Sequence, residues 1–341
     1  MSATPLLYSY LDQALSLGAS DITLCPGEPL VFRVNKRLKR SDPVPREAFN
    51  ELLWDIVNHD VGTIEHNGER FRYIQYRSEE GPVLELRHLP RHVRTLTDLG
   101  VPPAFTDLLS SEHGLIIVTG KTGEGKSTTL AAAIDHLNRT RDDRKIITLE
   151  HPIEHHHESR RALVRQRELG KHFDSLPDAI EAAMRQDPDV IMIGEMPGQT
   201  SMAAALTAAE TGHLVLGTLH TKDAAGSVSR ILDGVPGSDV PEQLAGSLIG
   251  VLAQQLVPTV DGGIVGAFEL LTTTTAVAHC IREKRIDHLR DEIRRGHGRG
   301  MVAMDASLEA LVRTVRISKA DAIRRASNPQ ALEAKLAHVT Q

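Results

Sequence analysis

Cysteine and aromatic residues are scarce in this chain. Cys25 and Cys280 are the only cysteines among 341 residues, and they stand far apart. This count does not support a disulfide framework or a four-cysteine zinc site, and it favours a reduced, cytosolic compartment. Phenylalanine, tryptophan and tyrosine make up 3% of the sequence. This low content argues against aromatic platforms that stack on single-stranded nucleic acid.

Long apolar runs and an excess of basic residues are also missing. The formal net charge is −6, so a general role in coating nucleic acid is disfavoured and we expect no nucleic-acid partner. No apolar run approaches the ~18 residues that a membrane span needs. The first twenty residues lack a basic segment followed by a long apolar core, so we expect no signal peptide. We expect any work at a membrane to be done from the cytoplasmic side through partners.

One segment, residues 120–128, matches the phosphate-binding pattern G-x-x-x-x-G-K-[ST]. An apolar run at 115–119 precedes it and a helical pattern follows it, which is the strand–loop–helix context that the motif requires. Glycine-rich backbone and a helix N-terminus can surround an anionic phosphate. Lys126 can reach the β- and γ-phosphates of ATP, and Ser127 can ligate Mg²⁺. The predicted nucleotide-binding residues are Gly120, Thr122, Gly123, Glu124, Gly125, Lys126, Ser127 and Thr128.

Two carboxylates follow other apolar runs. Glu195 comes directly after the run at 190–194, where it can orient and polarise a water molecule for attack on the γ-phosphate. Glu150 follows the run at 145–149 and is predicted to hold a Mg²⁺-bound water, because magnesium usually keeps several waters. We also predict that Glu195 contacts the Mg²⁺ ion through a bound water molecule. The alternatives are a helix-capping role for Glu195 and a solvated loop charge for Glu150.

A histidine follows the apolar run at 214–219. His220 can donate a hydrogen bond to the γ-phosphate, so it can distinguish bound ATP from bound ADP. The carboxyl ends of neighbouring parallel strands meet at one edge of a sheet, where ligands bind. We therefore expect residues 120–128, Glu150, Glu195 and His220 to lie close together.

The pattern of the chain changes along its length. Residues 1–95 mix helical spacing with short strands and predict a small α+β domain, and residues 96–104 are predicted to form a linker. From 105 to 270, strands alternate with helices, which is typical of a mainly parallel sheet covered by helices on both faces. Residues 271–341 are predicted to be helical. The other elements predicted are strands at 21–25, 30–34, 70–77 and 82–88 and helices at 47–59, 277–295, 305–315, 319–326 and 329–339.

The sequence resembles the secretion-ATPase superfamily and, within it, the PilT-like type IV pilus retraction ATPases. Residues 147–154 are similar to the aspartate box of this family, and residues 187–190 and 194–196 are similar to its Walker B region. Residues 206–213 together with 217–221 are similar to nearly all of its histidine box. The resemblance extends over almost the whole chain.

This resemblance implies a PAS-like first domain, a RecA-like P-loop ATPase domain, C-terminal helices and a ring of six subunits. It implies ATP and Mg²⁺ as cofactors and a motor that retracts a pilus from the cytoplasmic face of the inner membrane by acting on a platform protein. It also implies arginines that reach the nucleotide from the first domain. These are matched here to Arg70, Arg72 and Arg87, since a guanidinium can neutralise charge on a transferring phosphoryl group.

Three segments depart from the family pattern. His151 replaces the usual aspartate of the aspartate box, Pro197-Gly198 replaces an Arg-Asp pair, and Ala-Val-Ala at 276–278 replaces Ala-Ile-Arg. The first two bear on the rate of hydrolysis and the third on retraction. Other functions therefore stay open: an ATPase of a DotB-like type IV secretion system or of another pilus apparatus, or a nucleotide-binding regulatory subunit of low activity.

Overall fold

A computed structural model describes residues 3–47, 49 and 60–338 of the chain. The chain forms two compact units, Met1–His92 and Val93–Gln341. Within the predicted linker at 96–104, Leu96 and Val101 are buried in the core of the second unit. Apart from residues 47 and 49, the helix predicted at 47–59 lies outside the described residues. The predicted limits at 105–270 and 271–341 stay predictions.

In the first unit, helix α1, Ala3–Leu17, packs against a six-stranded antiparallel sheet of order β3-β2-β1-β6-β5-β4. Helix α1 places Leu7, Leu11 and Ala14 in one core with the sheet. Strands β2 and β3 are joined by Asn35 and Lys36, both at positive φ, as in a two-residue type I′ hairpin turn. The strands are β1 Asp21–Leu24, β2 Pro29–Val34, β3 Arg37–Pro43, β4 Val61–His66, β5 Glu69–Ser78 and β6 Gly81–Leu89.

The second unit contains a seven-stranded sheet of order β13-β12-β7-β11-β10-β8-β9. All neighbouring pairs are parallel except β12 and β13. The four apolar runs predicted as strands form the centre of this sheet, since β7, β10 and β11 are buried along their full length. The strands are β7 Gly114–Thr119, β8 Lys145–Glu150, β9 Leu163–Glu168, β10 Val190–Ile193, β11 Leu214–Leu219, β12 Leu248–Pro258 and β13 Ile264–Thr272.

Helices cover both faces of this sheet and follow it as far as Lys335. The single helix predicted at 277–295 is wrong: it divides into two helices at Lys284, which has a φ of +53°. In the described chain, none of the helices has the length and hydropathy of a membrane span. The helices are α2 Pro103–Leu108, α3 Lys126–Thr140, α4 Leu176–Met184, α5 Gln199–Glu210, α6 Ala224–Gly234, α7 Val240–Ser247, α8 Thr275–Arg282, α9 Ile286–Arg295, a 3₁₀ helix Gly296–Arg299, α10 Met304–Arg313, α11 Lys319–Arg325 and α12 Pro329–Lys335.

Candidate active site

The loop between β7 and α3 has the geometry of a phosphate-binding loop. Gly120, Gly123 and Gly125 have φ values of +152°, +77° and +82°, a region in which residues with a side chain are strained. A Cβ atom on Gly120 would lie 2.6 Å from the carbonyl oxygen of Gln254 on β12. Glycine is therefore needed at 120 for space as well as for conformation.

Lys126, the first residue of α3, is enclosed by this loop. Its exposed fraction is 7%, and its Nζ donates to the carbonyl oxygens of Gly120 at 3.0 Å and Lys121 at 3.2 Å. Burial lowers the pKa of Lys126, while nearby carboxylates, of which Glu195 contributes most, act in the opposite direction. The ammonium group is thus held where a bound phosphate can replace the carbonyl oxygens as its partner.

His220 lies between the loop lysine and the predicted base. Its Nδ1 is 3.4 Å from Lys126 Nζ and 3.4 Å from Thr122 Oγ1, and its Nε2 is 3.3 Å from Glu195 Oε1. Because an ammonium group only donates hydrogen bonds, the contact with Lys126 requires Nδ1 to be the acceptor and places the proton on Nε2. The structure therefore brings the loop, His220 and Glu195 together.

Glu195 stands just beyond β10 and its side chain is 64% exposed. The preceding Gly194 is fixed from both sides: its N–H donates to the carbonyl oxygen of Leu149 at 2.8 Å, and its carbonyl oxygen accepts from Thr218 Oγ1 at 2.6 Å. Helix α5 begins later, with Gly198 as its N-cap residue. The carboxylate of Glu195 thus projects from a rigid strand end. It precedes the N-cap residue of α5, so the alternative interpretation, in which Glu195 caps this helix, does not fit.

Glu150, at the end of β8, occupies a more apolar environment. Burial raises the pKa of Glu150 to about 7, although its carboxylate accepts hydrogen bonds from Thr148 Oγ1 at 2.7 Å and Gln166 Nε2 at 3.0 Å. A cavity of about 160 Å³ is lined by Glu150, Glu195 and Ser127 among other residues. Ser127 was predicted to ligate the metal directly, and Glu150 and Glu195 to act on it through water, so the structure places all three around one space.

Two residues of β12 that the sequence did not predict, Gln254 and Leu256, hold the loop in place through Glu124. The carboxylate of Glu124 accepts a hydrogen bond from the backbone N–H of Leu256. The backbone carbonyl oxygen of Glu124 accepts one from Gln254 Nε2 at 2.5 Å. The carboxylate that was predicted to bind nucleotide thus anchors the loop to β12. Neither Gln254 nor Leu256 carries a local sequence signal for this contact, because each is at least 130 positions from Glu124.

A second contact that sequence reasoning missed joins the ends of β7 and β11. The hydroxyl groups of Thr119 and Thr221 are 2.7 Å apart, and Thr119 Oγ1 also accepts from the backbone N–H of Thr221 at 3.0 Å. Thr119 ends an otherwise apolar strand, which could have marked it. This contact fixes His220, the neighbour of Thr221, beside the loop.

Arg70, Arg72 and Arg87 lie in the first unit, on β5 and β6. Their strand neighbours Phe71 and Leu86 are buried, and side chains alternate along a strand, so the three arginines share the outer face of the sheet. Arg72 is paired across the strands with Arg87, whose Nε donates to Asp21 Oδ1 at 2.8 Å. Their assignment to a nucleotide stays a prediction.

The sequence profile of the family described as "Type II/IV secretion system protein" matches residues 63–338. The chain belongs to this family. It is 43% identical over 270 residues to the twitching motility protein of Neisseria gonorrhoeae, with 78% of this chain and 72% of the relative covered. It is 37% identical over 330 residues to the type IV pilus retraction ATPase PilT of Pseudomonas aeruginosa, with 92% and 96% covered.

Among solved structures, the chain is similar to the crystal structure of the pilus retraction motor PilT with bound ADP. The TM-score is 0.84 at 34% identity, and the match covers 96% of this chain and 98% of that one. The predicted fold class is thus confirmed: this family member is a PilT-like secretion ATPase in fold, with a RecA-like P-loop domain and a smaller N-terminal PAS-like α+β domain.

Proposed function

We propose that this chain is a Mg²⁺-ATP-hydrolysing motor that powers type IV pilus retraction. It works as a homo-hexamer, peripheral to the cytoplasmic face of the inner membrane, against a membrane platform protein. Relatives named as a twitching motility protein and a pilus retraction ATPase support this assignment. The observation that carries it within the chain is the line of Lys126, His220 and Glu195, in which neighbouring groups are 3.3–3.4 Å apart.

The loop fits the triphosphate of ATP. Its three left-handed glycines leave backbone N–H groups at the N-terminus of α3, where an anion is stabilised. Lys126 is a buried cation that contacts only uncharged carbonyl oxygens and the Nδ1 of His220 among its hydrogen-bond partners in the described chain. An anionic phosphate is a stronger partner for it than a carbonyl oxygen.

The residues around the cavity fit a magnesium ion bound with the nucleotide. Ser127 would contribute its hydroxyl, and Glu150 and Glu195 would act through water molecules, since Mg²⁺ prefers oxygen ligands and usually retains several waters. A bound magnesium ion would neutralise charge on the β- and γ-phosphates. Gly194 has no side chain to crowd this space, and a Cβ there would lie 3.4 Å from Glu150 Cα.

Glu195 accepts a proton from the attacking water, and His220 Nε2–H donates to the γ-phosphate. The backbone of Gly194, fixed by β8 and β11, limits the positions that the Glu195 carboxylate reaches. Arg70, Arg72 and Arg87 supply positive charge to the transferring phosphoryl group, from the first unit of the same subunit or of a neighbouring one.

Two measurements test this function. Steady-state ATPase activity of the purified chain should depend on magnesium, and Glu195→Gln should retain ATP binding while turnover falls by at least ~10²-fold. Glu333→Gln, which removes an exposed carboxylate on α12, is the matched control and should behave as wild type. In cells, deletion of the gene should abolish pilus retraction, and wild type but not Glu195→Gln should restore it.

Other outcomes would assign a different role. Retained ATP binding without detectable wild-type turnover would indicate a regulatory subunit. Normal turnover with unchanged retraction in the deletion strain would indicate another pilus or a secretion apparatus. Near-normal turnover in Glu195→Gln would remove this residue as the general base.

A further inference from the structure

The hairpin formed by β2 and β3 in the first unit is strongly basic. Residues 33–46 contain six basic residues and one acidic residue, Asp42, within a chain whose net charge is −6. Five of the six, Arg33, Lys36, Arg37, Lys39 and Arg40, fall within eight consecutive positions. We call these five residues, together with Leu38, the basic hairpin.

The basic hairpin is exposed. Every residue of β3 is exposed, and Leu38, in the middle of the cationic residues, is 51% exposed. Arg33 is 3.6 Å from Asp21, a carboxylate that also pairs with Arg87. Arg37, Lys39 and Arg40 form no ion pair with any residue in 3–47, 49 or 60–338. Their charge is therefore available to an external anionic partner.

Most of the charge of the hairpin lies around an edge, although Arg33 and Leu38 also line a cavity on the outer face of the sheet. Strand β3 is the edge strand of the sheet, and its side chains alternate between the two faces. Arg37 and Lys39 project to one side, and Leu38 and Arg40 to the other. Charged side chains discourage an edge strand from pairing with another chain, but five cations within eight positions are a denser cluster than that role needs.

A lipid surface matches this distribution better than a folded protein does. Anionic headgroups are mobile and can gather around cations on both sides of an edge, whereas a rigid acidic protein surface meets one side at a time. Basic clusters are attracted to anionic membranes, and an apolar side chain among them can enter the interfacial region. Leu38 is the apolar side chain among the cations of the basic hairpin.

We propose that the basic hairpin binds anionic phospholipid headgroups and so brings the chain into direct contact with a membrane. This contact needs no ATP and no membrane-embedded partner. It adds to the proposed motor function a lipid-binding surface in the first unit, remote in sequence from the phosphate-binding loop.

Sedimentation of the full chain with lipid vesicles tests this proposal. Wild type should bind vesicles of phosphatidylglycerol mixed with phosphatidylcholine at least ~10-fold more strongly than vesicles of phosphatidylcholine alone, and added salt should weaken binding. The triple variant Arg37→Glu, Lys39→Glu, Arg40→Glu should lose ~10²-fold or more of this binding, since each basic residue near an anionic surface contributes about fivefold. Leu38→Ser should weaken vesicle binding by a smaller factor, and this factor should not depend on the salt concentration.

A matched triple variant controls for total charge. Lys284→Glu, Arg285→Glu, Arg299→Glu makes the same change at exposed positions of the second unit, and it should bind vesicles within ~3-fold of wild type. Equal wild-type binding to both kinds of vesicle, undiminished binding by the hairpin variant, or an equal loss in the control would each overturn the proposal.

Two further outcomes distinguish lipid binding from binding to an acidic protein, and distinguish the lipid proposal from the motor function. In the first, wild type binds neither kind of vesicle, and the hairpin variant has normal ATPase activity but does not support retraction. The partner is then an acidic protein surface, and the lipid proposal is wrong. If the chain binds anionic vesicles but hydrolyses no ATP, the lipid proposal stands and the motor function fails.

Discussion

The Nε2 atom of His220 lies 3.3 Å from a carboxylate oxygen of Glu195. Since Nδ1 faces the ammonium group of Lys126, the ring has a single N–H available for donation, and it can serve either Glu195 or a γ-phosphate. In the proposed mechanism, donation to the phosphate would release the Glu195 carboxylate to accept a hydrogen bond from water. The presence of the third phosphate would then be linked to activation of the base.

Replacing His220 tests this link. His220→Ala should lower kcat for ATP by ~10²-fold and change KM by much less, because the lost interaction is made with the reacting phosphoryl group. His220→Gln keeps an N–H donor and should recover part of the loss. His213→Ala, at the other end of β11, where His213 Nδ1 contacts the carbonyl oxygen of Ala208, is the control. An unchanged kcat in His220→Ala would contradict the link.

Lys126 should dominate nucleotide affinity. Lys126→Ala removes a charge-assisted hydrogen bond to phosphate and should weaken ATP binding by ~10–10²-fold, measured with a fluorescent ATP analogue. Lys121→Ala is a close control, since Lys121 is exposed in the same loop and contributes its backbone carbonyl oxygen to the Lys126 site. Equal weakening in both variants would indicate a general effect of loop charge.

Glu124 should act as a positioning residue. Glu124→Ala leaves the part-buried N–H of Leu256 without this acceptor and removes one of the two contacts between the loop and β12, so KM for ATP should rise by ~10-fold while kcat changes less. Glu124→Gln retains an acceptor oxygen and should stay within ~3-fold of wild type. If both variants lost the same activity, the negative charge itself, and not the anchoring contact, would be required.

The sequence predicts the centre of the second unit because local signals define it. Strands β7, β10 and β11 are apolar on both faces, as expected for buried parallel strands, and Glu195 and His220 follow directly from their carboxyl ends. Edge strands give no such signal: β3 is exposed along its whole length and β9 contains four charged or amide side chains in six residues. Both were missed.

The residues that support the site could not be predicted for a different reason. Thr119 and Thr221 are 102 positions apart in sequence, and Gln254 and Glu124 are 130 apart. No periodicity or turn pattern reports a contact over such a separation. The division of the predicted helix at 277–295 depends on the left-handed conformation of Lys284, which a non-glycine residue seldom adopts.

Glu150 should reduce the stability of the nucleotide-free protein at neutral and higher pH. Burial raises the pKa of Glu150 from 4.5 to about 7, so the folded chain holds this proton more tightly than the unfolded chain. Between these two values stability falls as pH rises, by on the order of 1–3 kcal/mol in total. Glu150→Gln removes this cost, and thermal unfolding at about pH 8 should show a higher Tm than wild type.

The same variant should show almost no gain near pH 4, where Glu150 is protonated in both the folded and the unfolded chain. Its ATPase activity should fall at every pH, because the neutral amide is a poor partner for a magnesium-bound water. Glu333→Gln, at an exposed position, should change neither quantity. A gain in Tm of equal size at both pH values would mean that the Glu150→Gln substitution improves packing, and the burial of the Glu150 charge would then not be the cause of the instability.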